Sequence, residues 1–277
     1  MNDNSVESIK ITKVGTNGVF ETEDKVAMEE PLEIQLEYST ATGMMMKNIA
    51  VTMRTPGNDE ELAVGFLFTE GVIQNANDIA ATKRSNADAN AIRVVLNENV
   101  IPKLGNVSRN FYTTSSCGIC GKASIDAIHT VAQFEAEQDN IQLNPTTIYD
   151  LQNKIKEQQK VFEDTGGIHA SALFDLEGNF LILREDVGRH NALDEVIGYA
   201  CMNGQLPLSR HVLFLSGRAS FELMQKAVMA GIKIVAAVGA PSSLAVEMAK
   251  ENGITLIGFL RDDRFNIYSG KQRINTT

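Results

Sequence analysis

The sequence predicts a mixed α/β (α+β) protein, with an α/β sheet domain in its C-terminal half and a smaller mixed α+β lobe before it. Two observations support this. From about residue 144 onward, short apolar runs alternate with helical patterns, which is typical of parallel β-α-β units. Before that point, strand patterns and a helix follow one another without regular alternation. The predicted domains are therefore residues 1–143 and 144–277.

Three strands and one helix are predicted in the N-terminal lobe. The strands cover Leu32–Tyr38, Asn48–Met53 and Ala91–Leu96, which are rich in apolar and β-branched residues. A helix is predicted over Asn58–Thr69, because acidic residues gather at its start and apolar residues recur at helical spacing. Gly71 follows it and is expected to close the helix.

The C-terminal domain is predicted to begin with a polar helix, opened by Pro145 and extending to about Gln159. A hairpin candidate follows, in which Ser171–Phe174 pairs with Phe180–Leu183. The remaining predicted elements alternate, and they are a helix with the apolar face Leu193, Val196, Ile197 and Ala200, the strand Val212–Leu215, a helix over about 219–230, the strand Ile232–Val238, a helix over about 242–251 and the strand Ile254–Phe259.

Composition excludes several classes of protein. A formal charge of −10 argues against a general nucleic-acid binder, which normally carries a basic stripe. No run approaches the roughly 18 apolar residues of a membrane span. The N-terminus lacks a basic stretch followed by an apolar one, so no secretory signal is expected. We expect a soluble cytoplasmic protein, whose reducing surroundings favour catalytic or metal-bound thiols over structural disulfides.

Two of the three cysteines, Cys117 and Cys120, lie two residues apart between glycines. A helix is predicted over 122–134, so Cys120 precedes a helix N-terminus, whose positive dipole end stabilises a thiolate. Lys122 adds a nearby cation. Such a pair can exchange a disulfide, ligate a metal or carry sulfur as a persulfide. The pair is predicted to be chemically active.

A metal at these thiols is not expected. A structural zinc site needs four ligands, and the chain has one Cys-x-x-Cys with no second pair and no His-x3–5-His. The zinc deaminases carry His-x-Glu and Pro-Cys-x-x-Cys, whereas Ser116 stands at the proline position here and His-x-Glu is absent. A thioredoxin-like redox pair is the stronger rival, although that motif is expected after a strand.

Arginines follow two of the predicted strands, where open α/β sheets bind ligands. Arg189 and Arg218 each lie near a helix N-terminus, where the dipole disfavours a cation. An anion bound between guanidinium and helix would explain this, and small residues such as Ser216 would let backbone N–H groups approach a phosphate. Alternatively, Arg189 pairs with Glu185 or Asp186, and Arg218 with Glu222.

The last predicted strand runs into Arg261-Asp262-Asp263-Arg264, flanked by Phe259, Leu260 and Phe265. This is either a solvated turn with self-cancelling charge or a pair of guanidiniums that clamp a pyrophosphate, with Phe259 or Phe265 against a ring. His169 enters the predicted hairpin after two glycines and is either a hydrogen-bonded structural residue or a functional one.

Seven stretches resemble, in order and spacing, the FdhD/NarQ family of sulfur-carrier proteins required for formate dehydrogenase activity. The resemblance extends from about residue 50 to the C-terminus, and the thiol motif shows no departure. The stretches are Thr55–Gly57, Glu61–Leu67 with Glu70-Gly71, Ser116–Lys122, Gly166–Ala170, Glu185–Asp194, Ser216–Arg218 and Gly258–Asn266.

The resemblance implies a cytidine-deaminase-like fold without the zinc site. It implies that the chain accepts persulfide sulfur from a cysteine desulfurase and passes it to the molybdenum (or tungsten) bis-guanine-dinucleotide cofactor, before that cofactor enters apo-formate dehydrogenase. The persulfide position falls on Cys117, Cys120 is the second thiol, and the cofactor-binding stretch falls on Phe259–Arg264. It also implies a homodimer, and the cofactor would supply the anion that Arg189 and Arg218 require.

The sequence therefore predicts a cytoplasmic sulfurtransferase, with Cys117 as carrier and Cys120 assisting release or relaying the sulfur. Cofactor-binding roles are expected for Ser216, Arg218, Arg189 and His169 and for the stretch Phe259–Arg264. Two rivals stay open. One is a dithiol oxidoreductase that cycles a Cys117–Cys120 disulfide, and the other is a chaperone that only holds the cofactor. A redox enzyme has no use for a phosphate-binding sheet edge.

Overall fold

The computed structural model describes residues 5–85, 89–104, 134 and 139–276. The part before residue 105 holds six strands and one helix. A 3-10 turn, Ala76–Asp78, precedes the fifth strand. The elements are β1 (Val6–Gly15), β2 (Gly18–Ala27), β3 (Glu30–Thr40), β4 (Gly43–Arg54), α1 (Asp59–Thr69), β5 (Ile79–Arg84) and β6 (Ala91–Leu96).

The part after residue 139 alternates helices and strands and ends in a 3-10 turn, Lys271–Arg273. Its elements are α2 (Pro145–Lys156), α3 (Lys160–Thr165), β7 (His169–Phe174), β8 (Phe180–Asp186), α4 (Arg189–Met202), β9 (Val212–Leu215), α5 (Phe221–Met229), β10 (Ile234–Ala237), α6 (Ser243–Glu251), β11 (Thr255–Gly258) and β12 (Asn266–Ser269).

The six-stranded sheet has the order β12-β11-β10-β9-β7-β8. Strands β9, β10 and β11 are parallel, as the alternating pattern predicted. Strand β7 is antiparallel to both β8 and β9, so β8 runs in the same direction as β9. The carboxyl ends of β8, β9, β10 and β11 therefore lie along one side of the sheet together with the amino end of β7. We call this side the carboxyl edge.

The N-terminal part forms two further sheets. One has the order β4-β3-β6-β5, and the other is the β1–β2 ribbon. In the four-stranded sheet β3 buries alternate residues, which gives a period of two with one face toward the core. The buried residues of β3 are Leu32, Ile34, Leu36 and Tyr38. The ribbon is exposed along most of its length.

Helices α1 and α4 join the two halves because their backbones touch. A Cβ placed on Gly65 would lie 1.8 Å from the carbonyl oxygen of Asp194, and one on Gly198 would lie 1.9 Å from that of Glu61. Only glycine permits this approach. One cluster of buried apolar residues consequently includes Leu32 and Leu62 from the first half and Leu193 from the second.

Most predicted elements are confirmed, with corrected ends. The helix predicted over 145–159 ends at Lys156, and a second short helix, α3, follows. Strand β8 continues to Asp186, so Arg184–Asp186 belong to the strand and not to the junction after it. Gly71 follows α1 with the left-handed φ of 73°, as expected of a residue that closes a helix. Strands β1, β2, β5 and β12 were not predicted, and the helix predicted over 122–134 lies outside the described residues.

The predicted boundary at residue 144 separates the strands of the four-stranded sheet from those of the six-stranded one, while the apolar core crosses it. Leu143 also pairs with Ile274, next to the C-terminus. The fold is a mixed α/β one, as predicted, and its likeness to cytidine deaminases stays a prediction. Among the described helices, none combines the length and apolar character needed to cross a membrane.

Candidate functional site

The carboxyl edge brings together residues that lie far apart in the sequence. His169 opens β7, Arg189 opens α4 and Arg218 follows β9. Ser216 joins two of these strands, since its N–H donates to the carbonyl of Ala170 at 3.0 Å and its hydroxyl accepts from the N–H of Ala170 at 2.8 Å. Ser216 therefore fixes the end of β9 beside His169, as well as lying on the edge as predicted.

His169 is a half-buried imidazole on this edge. Burial lowers its pKa, and the nearby charge of Arg189 lowers it further, so the ring is neutral at neutral pH. Gly217 lies against it, because a Cβ at Gly217 would stand 3.5 Å from Nδ1 of His169. His169 and Arg189 thus lie close enough to interact, and a cofactor-binding role for either residue stays a prediction.

Among the described residues, neither Arg189 nor Arg218 has the carboxylate partner that a purely structural role would require. Asp186 accepts hydrogen bonds from Thr55, Gly188 and Asn191, and Glu185 accepts from two backbone N–H groups of α3. Glu222 lies 3.9 Å from His190 instead of pairing with Arg218. The pairing alternative for Arg189 and Arg218 is therefore wrong within the described part of the chain.

Arg189 is the more constrained of the two. Its Nε atom is buried and has no hydrogen-bond partner among the described residues. Leaving a buried guanidinium N–H unpaired is costly, and such groups in native proteins mark a missing ion, water or ligand. The arrangement suits an oxyanion that approaches the N-terminus of α4.

The β11 end contributes an exposed aromatic ring. Phe259 has a left-handed φ of 52°, which a bulky side chain adopts only under tertiary constraint, and its side chain is 42% exposed. Its N–H donates to the carbonyl of Gly239, so the ring is held beside the end of β10. Phe265 packs on Tyr149, with ring centroids 5.4 Å apart, which leaves Phe259 as the ring available for stacking.

The two arginines of the Arg-Asp-Asp-Arg turn differ. Arg261 donates to the carbonyls of Val238 at 2.9 Å and Leu260 at 2.6 Å, so it holds the turn together. Arg264 is 73% exposed, and its contact with Asp263 at 3.5 Å is a weak surface pair. The interpretation as a solvated turn therefore applies to Arg264 and Asp263. If Arg261 takes part in a pyrophosphate clamp, it must do so while it keeps its hydrogen bonds to the two carbonyls.

Leu260 and Asp262, which were also predicted to bind the cofactor, differ from each other in exposure. Leu260 is fully buried in a second apolar cluster, which also includes Ile234 and Ile257, so only its backbone can face a ligand. Asp262 is exposed, like Asp263. A ligand with negative charge would be repelled by both carboxylates unless it lies toward Arg218 and Arg189.

The thiol pair Cys117 and Cys120 lies outside the described residues. The third cysteine, Cys201, is buried, and burial raises the pKa of its thiol to about 11, so it is unreactive at neutral pH. Within the described ranges, no group of three or more histidine, cysteine and acidic side chains is placed to hold a metal.

The hydrogen bonds around Asp186 were not predicted from the sequence, in which this residue is a possible carboxylate partner of Arg189. Its position two residues before Gly188 is the available signal, because an aspartate that accepts from the N–H two residues ahead forms an Asx turn. The buried state of Glu195 on α4 also gave no signal in the sequence, since its side of the helix reads as polar.

The sequence model that describes the FdhD/NarQ family matches residues 27–275 of this chain. The chain belongs to this family. Relatives named sulfur carrier protein FdhD include one from Streptomyces avermitilis, 46% identical over 97% of this chain and 95% of its own, and one from Mycobacterium tuberculosis, 44% identical over 96% and 97%. The relative from Sulfurisphaera tokodaii is 39% identical over 97% of this chain and 99% of its own.

A solved structure shares the fold of this family member. It is a crystal structure described as that of a formate dehydrogenase accessory protein from Desulfotalea psychrophila, with a TM-score of 0.74 over 97% of this chain and 99% of that one. At 24% sequence identity the similarity is one of fold.

Proposed function

We propose that this chain is a sulfur carrier in the maturation of formate dehydrogenase. It takes persulfide sulfur from a cysteine desulfurase and delivers it to a molybdenum or tungsten bis-guanine-dinucleotide cofactor, which is its substrate. Membership of the FdhD/NarQ family supports the proposal, as do the names of the relatives and the description of the solved structure. Apo-formate dehydrogenase is the proposed recipient, in the cytoplasm, and the proposed carrier is a homodimer.

The observation that favours a phosphorylated substrate is the pair of guanidiniums on the carboxyl edge. Arg189 and Arg218 have no carboxylate partners among the described residues, and the Nε of Arg189 is buried and unpaired. A guanidinium binds phosphate oxygens through charge-assisted hydrogen bonds. Phe259 offers a ring face on the same edge for a heterocycle such as guanine. Together they fit one end of a guanine dinucleotide.

The loading step is a thiol–persulfide exchange. The thiolate of Cys117 attacks the outer sulfur of the desulfurase persulfide, a new S–S bond forms on Cys117, and the desulfurase cysteine leaves as a thiolate. No electrons are gained or lost overall. The predicted helix N-terminus after Cys120 and the cation of Lys122 would favour the thiolate form.

In the release step the second thiol supplies two electrons. When the thiolate of Cys120 attacks the inner sulfur, a Cys117–Cys120 disulfide forms and the outer sulfur leaves as hydrosulfide, which becomes a ligand of the substrate's metal. A dithiol reductant such as thioredoxin must then reduce the disulfide before another cycle. In the relay alternative, the thiolate of Cys120 attacks the outer sulfur, the Cys117 thiolate leaves, and that thiolate then attacks the inner sulfur on Cys120, so hydrosulfide leaves and the same disulfide forms. The edge would contribute by positioning the substrate.

Loading is tested with a cysteine desulfurase, cysteine and intact-mass spectrometry. We expect one added sulfur on the parent chain and on Cys120→Ala, and none on Cys117→Ala. If Cys117→Ala loads like the parent while Cys120→Ala does not, the assigned roles are wrong. Reversible disulfide formation with turnover of protein disulfides, without any desulfurase, would favour the oxidoreductase instead.

Substrate binding is tested with GDP, a fragment of the proposed substrate, by isothermal titration calorimetry. We expect binding by the parent and an affinity lower by about tenfold or more in Arg218→Ala, since a charge-assisted contact is worth about 1.5–3 kcal/mol. Equal affinity in the variant would remove Arg218 from the site. Formate dehydrogenase activation that survives loss of both Cys117 and Cys120 would favour a chaperone without sulfur chemistry.

A further inference from the structure

We propose that Asp186 is a positioning residue, whose carboxylate fixes the turn between β8 and α4 and thereby holds the guanidinium of Arg189 at the carboxyl edge. This inference rests on the proposed function, because the ligand that Arg189 awaits is the phosphate of the proposed substrate. Asp186 would act through the backbone and would not touch the substrate itself.

The contacts of Asp186 are directed at the backbone on both sides of it. One carboxylate oxygen accepts from the N–H of Gly188 at 2.7 Å and from the side-chain amide of Asn191 at 2.9 Å. The other accepts from the N–H of Thr55 at 2.7 Å. Asp186 is fully buried. Since Gly188 directly precedes Arg189, the direction in which α4 starts depends on this carboxylate.

Further hydrogen bonds tie the same turn to the end of β4. The amide of Asn191 also donates to the carbonyl of Met53 at 2.7 Å, and its oxygen accepts from the hydroxyl of Thr52 at 3.2 Å. The hydroxyl of Thr55 accepts from the N–H of Val187 at 3.3 Å. The β8–α4 turn is thus hydrogen-bonded to the end of the four-stranded sheet and not only to its own strand.

This arrangement explains why Arg189 does not pair with Asp186, although Asp186 is only three residues away. The lone pairs of Asp186 are used by N–H groups of Thr55, Gly188 and Asn191, so the aspartate faces inward while Arg189 stays on the edge. A ligand-binding arginine needs such a neighbour, because an adjacent free carboxylate would compete with phosphate. The Nε of Arg189 is buried, so a small shift of the turn would displace it.

Charged groups from two elements face Asp186. Arg54, at the end of β4, attracts its charge, and the charge of Asp186 in turn raises the pKa of Glu195, on α4. Arg54 is paired with Asp59, and the Glu61–Arg184 pair lies beyond Glu195. Burial raises the pKa of Asp186 to about 6, against the opposing effect of its hydrogen bonds. The turn is therefore held by an ionised carboxylate at pH 7.5 that becomes protonated between pH 7 and pH 5.

The main variant is Asp186→Asn, which keeps the size but places an NH2 group against a backbone N–H. We expect its affinity for GDP at pH 7.5 to fall about tenfold, the loss of one charge-assisted contact. The matched control is Asp194→Asn. Asp194, on α4, is also buried, but it bonds to Lys226 and Thr69 and not to the β8–α4 turn, so we expect the GDP affinity of this variant to match the parent.

The pH profile separates positioning from general destabilisation. We expect the affinity ratio between parent and Asp186→Asn to shrink from about tenfold at pH 7.5 toward unity at pH 5, as the parent loses its carboxylate. The phosphate of GDP and the ring of His169 titrate in both proteins, so they cancel in this ratio. A ratio that stays constant with pH would overturn the proposal.

A second readout does not depend on the ligand. In the free protein, the exchange of the Arg189 Nε proton with water is measured by NMR, and we expect it to accelerate in Asp186→Asn but not in Asp194→Asn. Faster exchange together with a parent that fails to bind GDP would support the positioning role and count against the proposed substrate. Unchanged exchange in Asp186→Asn would overturn the positioning role whatever GDP does.

Should Asp186→Asn fail to fold, Thr55→Val provides a milder test. It removes the hydroxyl that accepts from Val187 and leaves the backbone N–H to Asp186 in place. We expect a two- to threefold loss of GDP affinity, about 0.5 kcal/mol, with faster exchange at Arg189. Parent-like values in both measurements would overturn the proposal.

Discussion

The α1–α4 interface and the carboxyl edge both contain charged side chains, but they differ in whether those side chains are paired. In the interface, Lys226 donates to Asp194 at 2.8 Å and to Thr69 at 2.9 Å, and Arg184 donates to Glu61 at 2.8 Å. At the edge, Arg189 and Arg218 have no carboxylate partner among the described residues. The same residue types are therefore paired in one region and lack a described carboxylate partner in the other.

The presence or absence of a partner indicates which charged residues have a structural role and which favour a role in binding. In a buried ion pair, the electrostatic attraction offsets the cost of desolvation only when the hydrogen bonds are complete, as they are around Lys226. The main contribution of such a pair is to specify one packing arrangement. An arginine left unpaired beside a helix N-terminus stabilises nothing in the free protein, which favours a role in binding. Substitutions should therefore reduce stability in the interface and reduce binding at the edge.

The largest effect is expected from Gly198→Ala. Its new Cβ would lie 1.9 Å from the backbone carbonyl oxygen of Glu61, which a flexible side chain cannot relieve, so α1 and α4 must separate. We expect loss of at least 4 kcal/mol, roughly the upper range for single substitutions, measured by urea unfolding. Gly15→Ala is the control, because nothing lies within 4 Å of its Cβ. Equal stability of the two variants would mean that the helices are not in contact.

The next effect is expected from Lys226→Met, which leaves the carboxylate of Asp194 buried beside Glu70 without its cation. We expect a loss of about 3–5 kcal/mol in the free energy of unfolding, the usual consequence of breaking a buried ion pair. Lys25→Ala breaks the exposed pair with Asp164 and should change stability by about 0.2–1 kcal/mol. A similar loss in both variants would contradict the contrast between buried and exposed charge.

A smaller, pH-dependent effect is expected from Glu195. Burial, Asp186 and Glu61 hold the pKa of this carboxyl well above its usual value of 4.5, so the folded state keeps a proton that the unfolded state loses. Stability from this group is fully present below pH 4.5 and is lost as pH rises through the folded pKa. Glu195→Gln should therefore flatten the decline in unfolding free energy between pH 5 and pH 8.

The matched control for Glu195→Gln is Glu251→Gln, at an exposed position at the end of α6. It should leave the pH dependence of unfolding as in the parent. A decline of equal steepness in the parent and in Glu195→Gln would mean that Glu195 is ionised in the folded protein, and that the interface holds an unpaired carboxylate after all.

The smallest effect on stability is expected at the edge, in Arg264→Ala. The guanidinium is 73% exposed and its ion pair with Asp263 is long, so we expect a change within about 0.5 kcal/mol. Arg261→Ala should destabilise more, because two carbonyls of the turn lose their donor. Thermal unfolding of the two variants measures this contrast, and the reverse order would show that Arg264 holds the turn.

Local patterns were enough to predict much of the fold. The apolar run Val212–Leu215 and the alternating Ala91–Leu96 match the observed strands β9 and β6. The β1–β2 ribbon was not predicted, since its exposed strands lack a buried apolar face to produce a pattern. Helix α4 was predicted as amphipathic, yet its polar side is buried too, because α1 covers the face that the sheet leaves open.

The candidate site was predicted in part. Arg189 and Arg218 were singled out because a cation at a helix N-terminus is unfavourable, and the structure places them on one edge with His169 and Ser216. Whether they were already paired could not be predicted, because Asp186 is equally near in the sequence whether it turns outward to Arg189 or inward to Thr55.

The sequence by itself determined the alternating strands and helices, the close spacing of Cys117 and Cys120 and the family to which the chain belongs. Those properties depend on residue order along short stretches. Only the tertiary structure decided which charges are satisfied, because Asp186, Lys226 and Arg184 bond to Thr55, Asp194 and Glu61, each more than thirty residues away along the chain. Pairing of charges depends on packing, and packing is a property of the whole chain.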